Sequence, residues 1–129
     1  MKDSDSSRYG LASKSIHAGQ IPDEFGSAAP AIYQSSTFKF ASTSQGAARF
    51  RGDDPGFIYT RMGNPTIRML ERNMAALEGG FDSLACSSGM AACNTLMFAL
   101  LGQGAHAIMS NAVYGPTRVT LEKLSLIHI

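Results

Sequence analysis

The feature that most constrains this chain is the apolar run at residues 90–101, opened by Ser87-Ser88-Gly89 and closed by Gly102. Its apolar positions circle a helix almost completely, so the sequence predicts a helix buried on several sides. Asn94 and Thr95 interrupt it, and it falls short of the roughly 20 residues needed to span a bilayer. Short apolar segments flank it at 83–86 and 105–110, each with the length and make-up of a buried strand. Upstream, Asn64 and Pro65 form a helix start, and Ile67, Leu70, Met74 and Leu77 recur at helical spacing before Gly79-Gly80 stop it. Downstream, a helix opens at Pro116 and carries Val119, Leu121 and Leu124. Helix, strand, helix, strand and helix in succession define an α/β layer with a parallel sheet. Only two or three strands are in sight, so the expectation is the opening third of a domain.

The first half reads differently. Residues 1–8 are charged and Ser-rich, and are expected to fray. Residues 19–66 are rich in Gly, Pro, Ser and Thr, which predicts only short elements. One is an extended piece at 31–33. Another is a tight turn at Asp53-Asp54-Pro55-Gly56, with Pro55 presetting one dihedral and Gly56 taking a positive one. So long a structureless stretch is unusual inside a compact domain. It makes more sense as an arm lying on a partner or closing over a site.

Composition narrows the function. With 44% apolar and 16% charged residues, the 129-residue chain has material for a core. A formal charge of +1 offers a polyanion no general attraction, so nucleic-acid binding is disfavoured. No apolar run follows the N-terminus, so no secretory signal is expected. Cys86 and Cys93 are too few for a disulfide framework and fit a reducing cytoplasm. Neither the cysteines nor His17, His106 and His128 have metal-ligand spacing. Gly102-Gln103-Gly104-Ala105-His106-Ala107 meets a loose dinucleotide fingerprint, but follows a helix where the mechanism requires a strand.

Three segments have the make-up of a binding site. Ser88-Gly89-Met90 lies at a helix start, where unpaired N–H groups and the helix dipole welcome an anion. There Gly89 leaves the backbone open to a phosphate, and Ser88 serves either as the cap or as a hydroxyl donor. Tyr59 and Arg61, two apart on a segment expected to be extended, point the same way and together can grip a phosphate. Tyr114, after a strand's carboxyl end, offers a flat face for an aromatic ring and a hydroxyl for proton work. Taken singly, each also has a plain structural reading as a cap, a surface pair or a loop tyrosine.

Taken in order, these segments carry a resemblance. Ser15-Ile16-His17-Ala18-Gly19 is followed by Pro30-Ala31-Ile32-Tyr33-Gln34-Ser35-Ser36-Thr37-Phe38, then by Tyr59-Thr60-Arg61-Met62-Gly63-Asn64-Pro65-Thr66. Leu77-Glu78-Gly79-Gly80, Ser87-Ser88-Gly89-Met90-Ala91-Ala92 and Tyr114-Gly115-Pro116-Thr117 complete the set. The chain closely resembles, over about residues 13–123, the start of the Cys/Met-metabolism enzymes that use pyridoxal 5′-phosphate (PLP). The resemblance implies an aminotransferase-like (fold type I) α/β enzyme. Residues 1–63 would be an N-terminal arm reaching a neighbouring subunit, and residues 64–129 the incomplete start of the large PLP-binding domain. It also implies a homodimer or homotetramer in the full enzyme. Its substrate would be a small sulfur amino acid or a homoserine ester, with no nucleic-acid or membrane partner. Gly89 and Met90, beside Ser88, match the backbone that holds the cofactor phosphate. Tyr114 matches the tyrosine that stacks on the cofactor ring and aids proton transfer, the catalytic role. Tyr59 and Arg61 match the pair that binds the phosphate in the neighbouring subunit's site.

The departures are informative. The family's cofactor lysine has no match among Lys2, Lys14, Lys39 and Lys123, so the chain alone is expected to be inactive. Residues 125–129 fit the family's continuation poorly, and the expectation is an incomplete or misassembled reading frame. Residues 50–57 resemble the longer loop of methionine γ-lyases, which favours a carbon–sulfur lyase of that kind. Pro116 stands where many of those lyases carry a cysteine. Cystathionine γ-synthase, cystathionine lyase or O-acetylhomoserine sulfhydrylase activity, or a non-catalytic fragment, is therefore the alternative.

Overall fold

The computed structural model describes residues 9–127. The expected frayed tail at 1–8 and the last two positions, His128 and Ile129, lie outside these. The described residues form five α-helices, with a single isolated bridge between Thr37 and Tyr59. They divide into two compact units that meet between Ser83 and Leu84, each described by itself.

The first unit holds α1 (Leu11–His17), α2 (Thr43–Arg51) and α3 (Pro65–Glu78). Helix α3 has the bounds the sequence predicts. The Asn64 side chain accepts from the Thr66 N–H, Pro65 fills the first turn, and Gly79 ends the helix at φ 66°. Helix α1 was not expected, and at seven residues it is too short to persist unaided. It packs on α3, where the Asn73 carboxamide donates to Lys14 O at 3.2 Å and Ser15 O at 3.0 Å. Gly19 makes that approach possible, because a Cβ there would sit 2.2 Å from Met69 O. Helix α2 was also unforeseen, although Ser42 and Gln45 carry its signal. The Ser42 hydroxyl accepts from Gln45 N–H at 3.1 Å, and the Gln45 side chain accepts from Ala41 N–H at 2.7 Å.

Two expectations for this unit are corrected. The left-handed residue near the 53–56 turn is Gly52, at φ 81°, which terminates α2; Gly56 does not take a positive φ. Gly56 is instead small for want of room, since a Cβ would lie 2.7 Å from the Arg49 guanidinium. Arg49 fixes this loop by pairing with Asp54 at 3.1 Å and donating to Phe57 O at 3.1 Å. The expected core stripe of α3 faces outward: Ile67, Leu70 and Met74 are 43%, 55% and 42% exposed. The buried residues of α3 are Pro65, Met69 and Ala75, the last two at 6% and 8%. Among the described helices only α1 packs closely on α3, and it leaves the apolar stripe uncovered.

The second unit holds α4 (Gly89–Leu100) and α5 (Gly115–Ile127), which pack on each other. The strands expected at 83–86 and 105–110 do not form. A strand exists only through pairing, and no described residue supplies a ladder to either segment. For a related reason α4 has no buried residue, contrary to expectation. Helix α5 covers part of it, and Leu96, Phe98 and Leu100 remain exposed. Helix α4 ends at Leu100, with Leu101 extended just before Gly102.

Candidate functional site

In the second unit, two helix starts meet. Ser88 is the N-cap of α4, its Oγ accepting from Ala91 N–H at 3.1 Å. That bond uses a lone pair and leaves the hydroxyl proton able to donate, so capping and ligand binding, left open by the sequence, are compatible. The N–H groups of Gly89 and Met90, in the first turn, have no intrahelical partner. A Cβ built on Gly89 meets nothing within 4 Å, so the space over these amides is open. The Thr117 hydroxyl donates to Met90 Sδ at 3.7 Å, bringing the first turn of α5 against that of α4. Tyr114 immediately precedes α5, and its carbonyl accepts from Thr117 N–H at 3.0 Å. Its ring is 69% exposed and free to receive a flat ligand. Arg118 steadies the preceding loop through Asn111 Oδ1 at 3.0 Å.

In the first unit, residues 33–36 and 59–61 line an open depression of about 500 Å³. Tyr59 and Arg61 share it, with the guanidinium carbon 5.5 Å from the centre of the Tyr59 ring. The sequence pairs them correctly for an incorrect reason. The chain beyond Tyr59 is a turn, with Met62 and Gly63 N–H both bonded to Tyr59 O at 2.8 and 3.1 Å. Extended alternation therefore does not bring the side chains together. No described carboxylate pairs with Arg61, whereas Arg49, Arg51, Arg68 and Arg118 each have one. A cation left without an internal counter-charge is suited to an external anion.

Sequence reasoning treated the rest of this lining as motif only. Thr60 N–H donates to Ser36 O at 2.9 Å, and its hydroxyl donates to Ser35 O. Asn64 sits behind them, 3% exposed. Its capping signal was legible; its further bonds require the folded loop. The perturbed carboxyls lie elsewhere. Asp82 is held below its ordinary value by the Arg68 hydrogen bond and then by Ser83 N–H, and Asp23 by hydrogen bonds from Ser27. Among the described residues no His, Cys, Asp and Glu cluster could hold a metal ion, and Cys86 and Cys93 are free. No helix among them is long and apolar enough to cross a membrane.

Comparison with known proteins gives these geometries a family. The Cys/Met metabolism PLP-dependent enzyme family matches residues 12–127, and this chain belongs to it. An L-methionine gamma-lyase of Fusobacterium nucleatum subsp. polymorphum is 44% identical over 110 residues, which are 85% of this chain and 28% of that protein. The crystal structure of metB from Corynebacterium glutamicum matches with a TM-score of 0.84 at 37% identity, covering 97% of this chain and 31% of that one. A protein assigned as an O-acetylhomoserine (thiol)-lyase in Campylobacter jejuni also reaches 0.84, at 32% identity, over 92% of this chain and 30% of its own. Its structure contains a pyridoxyl-lysine monophosphate. The fold is therefore part of the aminotransferase-like, fold type I α/β architecture, and the cofactor is PLP. The chain spans less than a third of the relatives it matches.

The residues present fit that cofactor. The open backbone at Gly89 and the donors of the first turn of α4 offer an anion cradle, and Tyr114, before α5, presents an exposed aromatic face. The α4–α5 contact brings Thr117, three residues after Tyr114, against Met90. Tyr59 and Arg61 meet within their own unit, in the depression they share.

Proposed function

We propose that this chain is the cofactor-anchoring N-terminal part of a PLP-dependent enzyme of sulfur amino-acid metabolism, a carbon–sulfur lyase of the methionine γ-lyase kind. The meeting of two helix starts at Met90 and Thr117, with open backbone at Gly89, carries the reading. When bound, the cofactor supplies an electron sink that permits loss of the substrate's Cα proton. The chain's own part is to bind and orient. Gly89 and Met90 N–H donate to the phosphate, and the Ser88 hydroxyl adds a third donor. Tyr114 would offer its flat face to the ring, and its hydroxyl would be the group available to hold a proton there. Residues 1–63 act as an arm, so that Tyr59 and Arg61 grip the phosphate of a neighbouring copy in a homodimer or homotetramer. The substrate is a small sulfur amino acid, and the two free thiols agree with a reducing cytoplasm.

Pro116 in the first turn of α5 supports a second reading, a homoserine-ester sulfhydrylase. The structural match to an O-acetylhomoserine (thiol)-lyase supports it too.

The anchoring test uses pyridoxine 5′-phosphate, which lacks the aldehyde and cannot couple to lysine. In the 15N-labelled chain it is expected to shift the Gly89 and Met90 amide resonances, whereas pyridoxine is not. Gly89→Ala keeps α4 but places a methyl over the amides, and is expected to weaken binding about tenfold or more. Unmoved amides in the wild-type chain would sink the proposal.

A further inference from the structure

Asn64 makes more hydrogen bonds than a helix cap requires. Capping uses only its Oδ1, which accepts from Thr66 N–H at 2.9 Å, and serine or aspartate would serve equally. Its carboxamide nitrogen makes two further bonds, to Tyr33 O at 2.9 Å and to Thr60 Oγ1 at 3.0 Å. Tyr33 and Thr60 belong to the two segments, 33–36 and 59–61, that line the depression containing Tyr59 and Arg61. The Thr60 hydroxyl, accepting from Asn64, donates in turn to Ser35 O. Thr66 repeats the pattern two residues on: its Oγ1 accepts from Tyr33 N–H at 2.9 Å and donates to Ala31 O at 3.3 Å. Among the described residues the backbone link between these two walls is the Thr37–Tyr59 bridge, with Thr60 N–H donating to Ser36 O at 2.9 Å and Phe38 N–H to Ile58 O at 3.0 Å. Residues 31–35, outside that bridge, are held by side-chain hydrogen bonds of Thr60, Asn64 and Thr66.

We infer that Asn64, acting through Thr60, is the positioning residue of the anion grip. Buried and bonded on three sides, it sets the separation of the walls and holds the turn that places Arg61 over Tyr59. Nothing in its helix requires the two donated bonds; the grip does. The inference rests on the proposed role of Tyr59 and Arg61 as the pair that binds the cofactor phosphate.

The experiment follows the Arg61 Nε–H resonance of the 15N-labelled full chain during titration with pyridoxine 5′-phosphate, with pyridoxine as control. Asn64→Asp keeps the cap acceptor and removes both donors. It is expected to preserve amide protection along α3 while weakening phosphate binding at Arg61 by about five- to tenfold, the size of one or two lost hydrogen bonds. Binding of pyridoxine stays unchanged. Thr60→Val is expected to do the same without touching the cap, and Thr60→Ser to restore binding. Undiminished phosphate binding in Asn64→Asp with α3 intact, or equal binding by Thr60→Val and Thr60→Ser, would overturn the inference and leave the role of Arg61 standing. If Arg61 of the wild-type chain ignores pyridoxine 5′-phosphate, the grip itself falls, and the inference with it.

Discussion

Two arginines in the first unit show how the same side chain can serve structure or binding. Arg68 is committed: it holds Asp82 through two parallel bonds of 2.8 and 2.9 Å and reaches Glu71 at 3.2 Å. Arg61 has no carboxylate partner among the described residues and lies over an aromatic face. The commitment of Arg68 has a pH signature. The Asp82 carboxyl, exposed yet bonded first by Arg68, is held below its ordinary 3.8. A carboxyl with a lowered folded pKa contributes stability above its unfolded value, and loses it as pH falls through the folded one. The expected outcome is that wild-type stability declines below about pH 3.8, while Asp82→Asn shows a shallower decline. Thermal unfolding at stepwise lower pH measures the difference; Asp23, also lowered, contributes equally to both curves. Identical slopes would mean that the pair adds nothing. At this scale the sequence was largely legible. Ser88 caps α4 and Gly89 opens it, as their residue types predict, whereas Tyr114, expected after a strand's end, follows a segment that forms no strand. The pairing of Arg68 with Asp82 was not foreseen, because a contact across 14 positions leaves no local pattern.

At the scale of elements, helices with strong punctuation were readable and weakly marked ones were not. Asn64-Pro65 and Gly79 delimit α3 because each has a specific local geometry to satisfy. Helix α1 has no side-chain cap bond and Gly10 before it, so nothing in 11–17 announces it. It depends on Asn73, which lies on α3. The two expected strands failed for the complementary reason, since their apolar residues describe a surface to be covered and the cover is not among the described residues. The α1–α3 junction can be tested at Gly19. Gly19→Ala puts a methyl against Met69 O and Asn73, where neither backbone can yield. The expected cost is about 1–3 kcal/mol, with faster amide exchange across 11–17 and little change along α3. Unchanged melting of the variant would show that α1 is not held by this contact.

At the scale of the whole molecule, the outward stripe of α3 and the uncovered α4 are intelligible beside the length comparison. A chain spanning less than a third of its relatives presents apolar faces that their remaining residues are available to meet. The sequence expectation of an opening third anticipated this from its scarcity of strands, and the family from ordered motifs. The uncovered faces themselves could not be anticipated, because periodicity marks a face as apolar without saying what meets it. Activity belongs to this scale too. None of the chain's four lysines stands in the family's cofactor-lysine context, so the 129-residue chain is expected to release neither thiol nor 2-oxo acid from methionine. A steady-state assay of the purified chain with added PLP checks this, and sustained release of either product would refute it.

The segment at 106–110 joins no ladder among the described residues, and its Ile108 side chain stands fully in solvent. Amide and carbonyl groups in that state take up whatever backbone comes near, including that of an identical molecule. Protein concentration thus becomes a working variable for this chain, and dilute handling favours the isolated form over self-templated stacking.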